Sequence, residues 1–228
     1  MKTNPQSGNA VVWALIAIAL FAALTATIMS NSRNSTAIMS DEEARSYAKQ
    51  VLAYGNDVKA GVQRLKLRGC DPTEISFESS HDSNYVNPNA PGNKKCHVFD
   101  VNGANVGWES SSVLKHGPYF MGIAEITGAG DPGISELILF AEVDQSVCKE
   151  INKLLGGVET PETDDISGVA YTQNASKFKG SYVDSTGEIA DTTAWREGKT
   201  AGCIFRDDYS TGFSLTDEYQ FYQALLVR

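Results

Sequence analysis

The sequence predicts an α+β fold: a long apolar N-terminal helix continuing into an amphipathic helix, packed on an antiparallel β-sheet, with a disulfide-closed C-terminal region. Three observations support this prediction: an uncharged apolar stretch, a helical repeat of apolar residues after it, and short alternating segments with cysteines further on. Residues 1–8 are predicted to be a leader, 9–32 the apolar helix, 33–69 the amphipathic helix and 70–228 a globular α+β head. At 228 residues the chain is long enough to bury a sizeable core.

The first element is the stretch 10–28, which is apolar apart from two threonines, and no charged residue lies between Lys2 and Arg33. A helix of this length crosses a hydrocarbon core about 30 Å thick. A cleaved signal peptide is the closest alternative, but a cut after Ala26 would place Leu24 where a small residue is needed. A central helix buried on all sides is the other alternative. We therefore predict an uncleaved membrane anchor, with the N-terminus in the cytoplasm because positive charge precedes the stretch and acidic residues follow it.

The second element is an amphipathic helix. Small and apolar residues recur at alternating steps of four and three, which places them on one helical face: Ala44, Ala48, Val51, Gly55, Val58, Val62 and Leu65. Ser40 and Glu43 are spaced as a capping box, and Gly69 before Asp71 and Pro72 ends the helix. The box indicates a short break between the apolar and the amphipathic helix near residues 31–40, and a continuous rod is the alternative. We expect the apolar face to pack on the chain's own sheet, and a coiled-coil seam for a partner is the alternative.

The remaining residues predict a head made of short strands and one short helix. Apolar alternation and turn residues indicate a first hairpin, a short helix that begins at Asp144 and ends at Gly156, and a last hairpin. Residues 160–200 are polar and predict long loops. The predicted extended segments are, in order, 75–78, 97–101, 119–127, 136–143, 202–206 and 218–227.

The four cysteines all follow the apolar stretch, and none has the spacing of a CxxC or Cys/His metal site. Outside the cytoplasm they are expected to pair. Of the three pairings, we favour Cys70 with Cys96 and Cys148 with Cys203, because each closes a loop within a separate subregion. Four buried reduced thiols are the alternative.

Charge and motifs exclude several functions. The chain carries a net charge of −9, and Lys2 is the only charged residue before the apolar stretch, so the rest carries −10. An acidic domain is not attracted to nucleic acid or anionic lipid.

The three histidines lack metal-site spacing, and no catalytic motif is complete. Acidic loops with Asp164, Asp165, Asp207, Asp208 and Asp217 offer carboxylates to Ca²⁺, although solvated loops are the simpler interpretation. We predict no cofactor and no enzymatic activity.

The order of these parts resembles that of a type IV pilin or pseudopilin: a short leader ending in Gly8, an apolar helix running into an amphipathic one, and a sheet with a cysteine-closed C-terminal region. The segment 144–157, whose Cys148 can pair with Cys203, is similar to the cysteine-containing helix of type IVb pilins. The resemblance implies that prepilin peptidase cuts after Gly8 and leaves Asn9 as the first residue of the mature chain.

The resemblance also implies a function. The subunit would first be held in the inner membrane and then assemble, with the pilus or secretion machinery, into an extracellular filament or a periplasmic secretion or DNA-uptake pseudopilus made of copies of itself or of mixed pilins. Ala14 and Ala17 permit close helix approach, and together with Trp13 and Phe21 they are predicted to mediate assembly. The position that usually carries an acidic residue in the family is Trp13 in this chain. In lacking this acid, the chain also resembles certain tip pseudopilins.

Two other classes of function fit the sequence. One is a single-span, membrane-anchored periplasmic or cell-surface domain that binds a partner and does not polymerise. The other is an anchored hydrolase that uses acidic loop residues. Cleavage after Gly8 or filaments in sheared-cell fractions would favour the pilin-like subunit over the anchored binding domain. The hydrolase requires a pocket with converging titratable groups, and the sequence shows none.

Overall fold

A computed structural model describes residues 16, 18, 39–109, 114–115, 117–157, 166–167, 177–184, 188–189, 198–206 and 218–228. The chain divides into two compact units, residues 1–40 and 41–228. In the first unit, Ile16 and Ile18 have helical backbone and exposed side chains. All the helices and strands given below belong to the second unit.

The predicted fold class is wrong in its N-terminal part. Within the described ranges, no helix is long and apolar enough to cross a membrane, and the amphipathic helix begins at Asp41 rather than continuing a longer one. The sequence suggests why an apolar run need not extend into that helix: residues 30–36 are mostly Ser, Asn and Thr, which favour caps and turns over helix interiors. The residues predicted to take part in leader processing and assembly lie outside the described residues: Gly8, Asn9, Trp13, Ala14, Ala17 and Phe21.

The described residues of the second unit form two α-helices and a six-stranded sheet. Helix α1 is Asp41–Leu67 and helix α2 is Gln145–Leu154. The strands are β1 Tyr119–Ile126, β2 Glu136–Val143, β3 Ile166–Ser167, β4 Glu188–Ile189, β5 Ala201–Arg206 and β6 Glu218–Leu226. Their order in the sheet is β3-β4-β1-β2-β6-β5.

The two predicted hairpins are confirmed, since β1 pairs with β2 and β5 with β6 in antiparallel register. The expectation of a wholly antiparallel sheet is wrong at one junction, where β1 and β4 pair in parallel. Strand β4 has only two residues, so no alternation in the sequence marks it. Seven of the eight residues of β2 are buried, and Ile138 and Phe140 belong to a hydrophobic cluster of the sheet that includes Met121 and Tyr222.

Helix α1 confirms the predicted stripe, because all seven of its predicted positions are buried. The helix contacts β6 and α2, so the apolar face packs on the chain's own sheet rather than forming a coiled-coil seam. Gly55 makes this approach close: a Cβ there would lie 2.8 Å from the Phe221 ring. The helix ends at Leu67 and is terminated by Gly69, whose φ of 87° suits glycine, with Cys70 N–H donating to Leu65 O at 3.1 Å.

Helix α2 begins after Asp144 and ends before Gly156, as predicted. Its apolar periodicity predicts a buried side made of Val147, Cys148, Ile151, Leu154 and Leu155. The structure differs at Leu154, which is 36% exposed, while the polar Asn152 is buried. The Asn152 amide donates to Cys203 O at 3.0 Å and accepts from Cys203 N–H at 2.8 Å. These bonds give the edge strand β5 a partner for its backbone, which an edge strand otherwise lacks.

Candidate functional site

The segment between α1 and β1 carries the candidate site. The segments 75–78 and 97–101 were predicted to be strands, but they pair only through an isolated β-bridge between Ser76 and His97. The same part of the chain contains two short 3₁₀ helices, Pro72–Glu74 and Ser83–Tyr85. Backbone bonds hold the bridge in place, with Val98 N–H donating to Ser76 O at 2.9 Å and Val106 N–H to Val98 O at 3.0 Å. The disulfide between Cys70 and Cys96 closes this segment onto the end of α1.

A surface groove of about 490 Å³ opens in this segment. Its aromatic lining consists of His81, Phe99 and Trp108, and its charged lining consists of Glu78, Lys94 and Asp100. We refer to it as the Trp108 groove. A concave site with aromatic walls and a few polar groups is the usual form of a small-ligand site.

The aromatic wall is fixed by rings that reach into the core. The Trp108 indole meets Phe99 edge-on, with ring centroids 4.9 Å apart, and lies nearly parallel to His81 at 5.9 Å. Phe99 in turn contacts Phe77 at 6.3 Å, and Phe77 stacks on Phe120 of β1 at 3.9 Å. Aromatic pairs in these arrangements are favourable beyond the area they bury. The orientation of Trp108 is therefore set by the packing of the sheet.

The polar wall is shaped by side chains that accept hydrogen bonds from nearby backbone N–H groups. Ser79 Oγ accepts from the N–H groups of His81 and Asp82, each at 3.1 Å. Asp100 Oδ1 accepts from Asn102 N–H at 2.9 Å, and this bond, followed by weaker effects that include the nearby Lys94 charge, holds the pKa of Asp100 below its usual value. Lys94 Nζ lies 3.6 Å from Asp100 Oδ2.

The three histidines, whose spacing predicts no metal site, have different surroundings. His81 is exposed in the Trp108 groove, whereas His97 is buried and its Nδ1 has no hydrogen-bond partner among the described residues. Burial lowers the pKa of His97, and the neighbouring Glu78 charge only partly opposes this effect. His97 is therefore neutral near pH 7. His116 lies outside the described residues.

Both predicted disulfides are present. Cys70 pairs with Cys96 at a Cα separation of 5.8 Å, and Cys148 pairs with Cys203 at 5.3 Å, so the alternative of four reduced thiols is wrong. Glu74 lies beside the first pair, but those two sulfurs are bonded to each other and do not offer thiolates to a metal. The acidic loops with Asp164, Asp165, Asp207, Asp208 and Asp217 lie outside the described residues.

The Trp108 groove was missed from the sequence, where residues 97–101 were predicted to be a strand. The available signal was the presence of Phe99, Val101 and Trp108 in a stretch otherwise rich in Asn and Gly. Large apolar residues in such a stretch indicate either an anchoring contact or a binding surface. Here Phe99 and Trp108 are half-buried, while Val101 is 76% exposed at the rim.

The chain matches no protein-family model, no curated protein and no solved structure. Function is therefore inferred from the residues and geometry of the chain itself. Two features bear on it: the disulfide-stapled head and the Trp108 groove.

Proposed function

We propose that the chain is a non-enzymatic structural subunit of the type IV pilin or pseudopilin kind. Copies join through the apolar residues of the stretch 10–28, and the compact unit 41–228 combines the amphipathic helix α1 with the head. The partners are other copies or other pilins, the inner membrane before assembly, and the assembly machinery. The product is an extracellular filament or a periplasmic pseudopilus.

The observation that carries this proposal is the disulfide pairing. Cys148–Cys203 joins α2 to β5, and Cys70–Cys96 joins the end of α1 to the groove segment. Structural disulfides persist in oxidising compartments and are rare in the cytosol. A head built on two of them belongs outside the cytoplasm, where pilin heads reside.

The packing of α1 supports the same proposal. Its apolar face packs against β6 and α2, and Val51, Val58 and Val62 are fully buried there. That face is therefore not available for joining copies. The longest apolar sequence outside the head is the stretch 10–28, which leaves it as the segment for assembly.

The experiment is mass spectrometry of the N-terminus combined with a shearing assay on cells that make the full chain. We expect a mature chain beginning at Asn9 and filaments in the sheared fraction. Gly8→Val places a branched side chain at the cleavage position and is expected to abolish both, whereas the neighbouring change Ser7→Ala is the matched control. A mature chain that begins near Asn31, with a body that stays monomeric, would contradict the proposal.

The Trp108 groove favours a second candidate, a membrane-anchored periplasmic or surface domain that binds a ligand and does not polymerise. A ligand groove serves such a domain directly, whereas filament assembly does not require one. Full-length protein that keeps Met1, stays in membranes and yields no filaments would favour this candidate over the first.

A further inference from the structure

The Trp108 groove combines an apolar wall and a hydrogen-bonding wall within one concave surface. The apolar side is formed by Phe99, Trp108 and the exposed side chain of Val101. The polar side is formed by Glu78, Asp100 and Lys94, which supply two carboxylates and one ammonium group. A ligand that fits both must have a non-polar face and a rim of hydrogen-bonding groups.

The charges of the lining narrow the class of ligand. Lys94 lies 3.6 Å from Asp100, so the groove contains a ready-made ion pair, and Glu78 is the additional carboxylate. An anion is disfavoured by these two carboxylates and by the net charge of −9 on the chain. A cation would compete with Lys94 for Asp100. A neutral ligand with hydroxyl groups uses the carboxylates as acceptors and the ammonium as a donor without disturbing the pair.

We propose that the Trp108 groove binds a neutral saccharide. The C–H face of a sugar ring packs on the indole of Trp108 and on Phe99, and its hydroxyl groups donate to Glu78 and Asp100 and accept from Lys94. The volume of about 490 Å³ lies within the range typical of small-ligand sites. The groove belongs to the head, so this binding does not depend on whether the chain polymerises.

The walls are preformed, which favours binding. Trp108 is held by Phe99 and His81, and Asp100 and Ser79 are fixed by bonds to their own backbone segments. The disulfide Cys70–Cys96 constrains the segment that carries the groove. Few side chains therefore need to become ordered when a ligand binds, which lowers the entropic cost of association.

The test uses the full chain, solubilised in a detergent without a sugar headgroup and applied to an array of neutral oligosaccharides. Saccharides that bind are then titrated by saturation-transfer NMR to obtain their dissociation constants. Trp108→Ala removes the aromatic wall, and Val101→Arg fills the rim from an exposed position without touching the core. Phe205→Ala removes a half-buried aromatic residue outside the groove and is the matched control.

We expect Trp108→Ala and Val101→Arg to weaken binding at least about tenfold, Phe205→Ala to leave it unchanged, and added salt to have little effect because the ligand is neutral. Thermal melting of each variant establishes that it is folded, and Val101→Arg keeps the test decisive where Trp108→Ala unfolds. The proposal is overturned if no neutral saccharide binds, if Val101→Arg leaves binding unchanged, or if the groove instead binds a cationic peptide in a salt-sensitive way.

Discussion

The Lys177 ammonium group pairs with the Asp82 carboxylate and joins segments that lie 95 residues apart in the sequence. The same ammonium lies 4.8 Å from the centroid of the Tyr85 ring and 5.8 Å from that of Tyr119. Lys177 is 11% exposed and Asp82 19% exposed, so the pair is largely shielded from water. It fastens the segment 177–184 to the loop that carries the Trp108 groove.

Removal of this ammonium is expected to destabilise the head strongly. Lys177→Met keeps the apolar stem but leaves the Asp82 carboxylate shielded without its cation, which typically costs about 3 to 5 kcal/mol. The pKa of Asp82 is lowered overall: burial raises it, but hydrogen bonds from Lys177 and Asn84 outweigh that effect. This contribution to stability is therefore present above the unfolded pKa and is lost as the pH falls through the folded one.

Urea unfolding of Lys177→Met and of Lys179→Met tests this prediction. Lys179 is exposed two residues away, so its replacement controls for the loss of one positive charge. Adding Asp82→Asn to Lys177→Met should restore part of the lost stability, since the uncompensated charge is then gone. Equal stability of the two lysine variants would show that the pair contributes nothing measurable.

The two disulfides are expected to differ in their effect on stability. Cys148–Cys203 spans 55 residues and Cys70–Cys96 spans 26, so the longer loop should stabilise more by about 0.7 kcal/mol in the chain-entropy treatment. Replacing either pair by alanine should cost about 2 to 5 kcal/mol in free energy of unfolding. Denaturant titrations of the two double variants give the comparison, and a larger loss for the shorter loop would contradict it.

Gly55 is expected to resist replacement although alanine favours helices. A Cβ at this position would lie 2.8 Å from Phe221 Cζ, on a ring that is fully buried. The gain in helix propensity is about 1 kcal/mol, and the cost of overpacking is about 1 to 3 kcal/mol. We therefore expect a net loss of stability for Gly55→Ala, measured by thermal melting against Lys49→Ala on the exposed side of α1. An increase in stability for Gly55→Ala would show that the Phe221 ring on β6 moves aside at little energetic cost.

Local periodicity explains which parts of the fold were predictable. The helical stripe from Ala44 to Leu65 and the alternation in β2 and β6 are repeats over neighbouring residues, and they produced the helix and both hairpins. The spacing of the cysteines into separate subregions was enough to favour the observed pairing. These signals depend only on residues close in sequence.

The unpredicted parts depend on contacts between distant residues. Phe77 stacks on Phe120, and Lys177 reaches Asp82, but nothing near either residue in the sequence specifies its partner. The Trp108 groove is built on such contacts, so its existence was not visible in the pattern. The prediction of a long apolar helix that continues into α1 was wrong: α1 begins at Asp41, and no helix in the described part of the chain is long and apolar enough to span a membrane.

Glu136 lies at the start of β2 with its carboxylate fully buried. Its Oε2 accepts from Ile126 N–H at 2.8 Å, while Oε1 has no hydrogen-bond partner among the described residues. Gly130 covers it so closely that a Cβ there would lie 2.5 Å from Oε1. Burial raises the pKa of Glu136 to about 7, with the bond from Ile126 opposing the rise, Glu125 adding to it and Arg228 reducing it.

This raised pKa predicts a head that loses stability as the pH rises through the neutral range. Between the unfolded value of 4.5 and the folded value of about 7, the native state keeps a proton that the unfolded state has released. The free energy of unfolding therefore falls with increasing pH in that window and levels off above it, by about 3 kcal/mol in all. Glu136→Gln removes the titration and should stabilise the head at about pH 8 while changing it little at about pH 4.5. Urea unfolding across this range measures the difference, with the exposed Glu42→Gln as the control for charge. Parallel curves for the wild type and Glu136→Gln would show that the carboxylate is solvated or paired in solution.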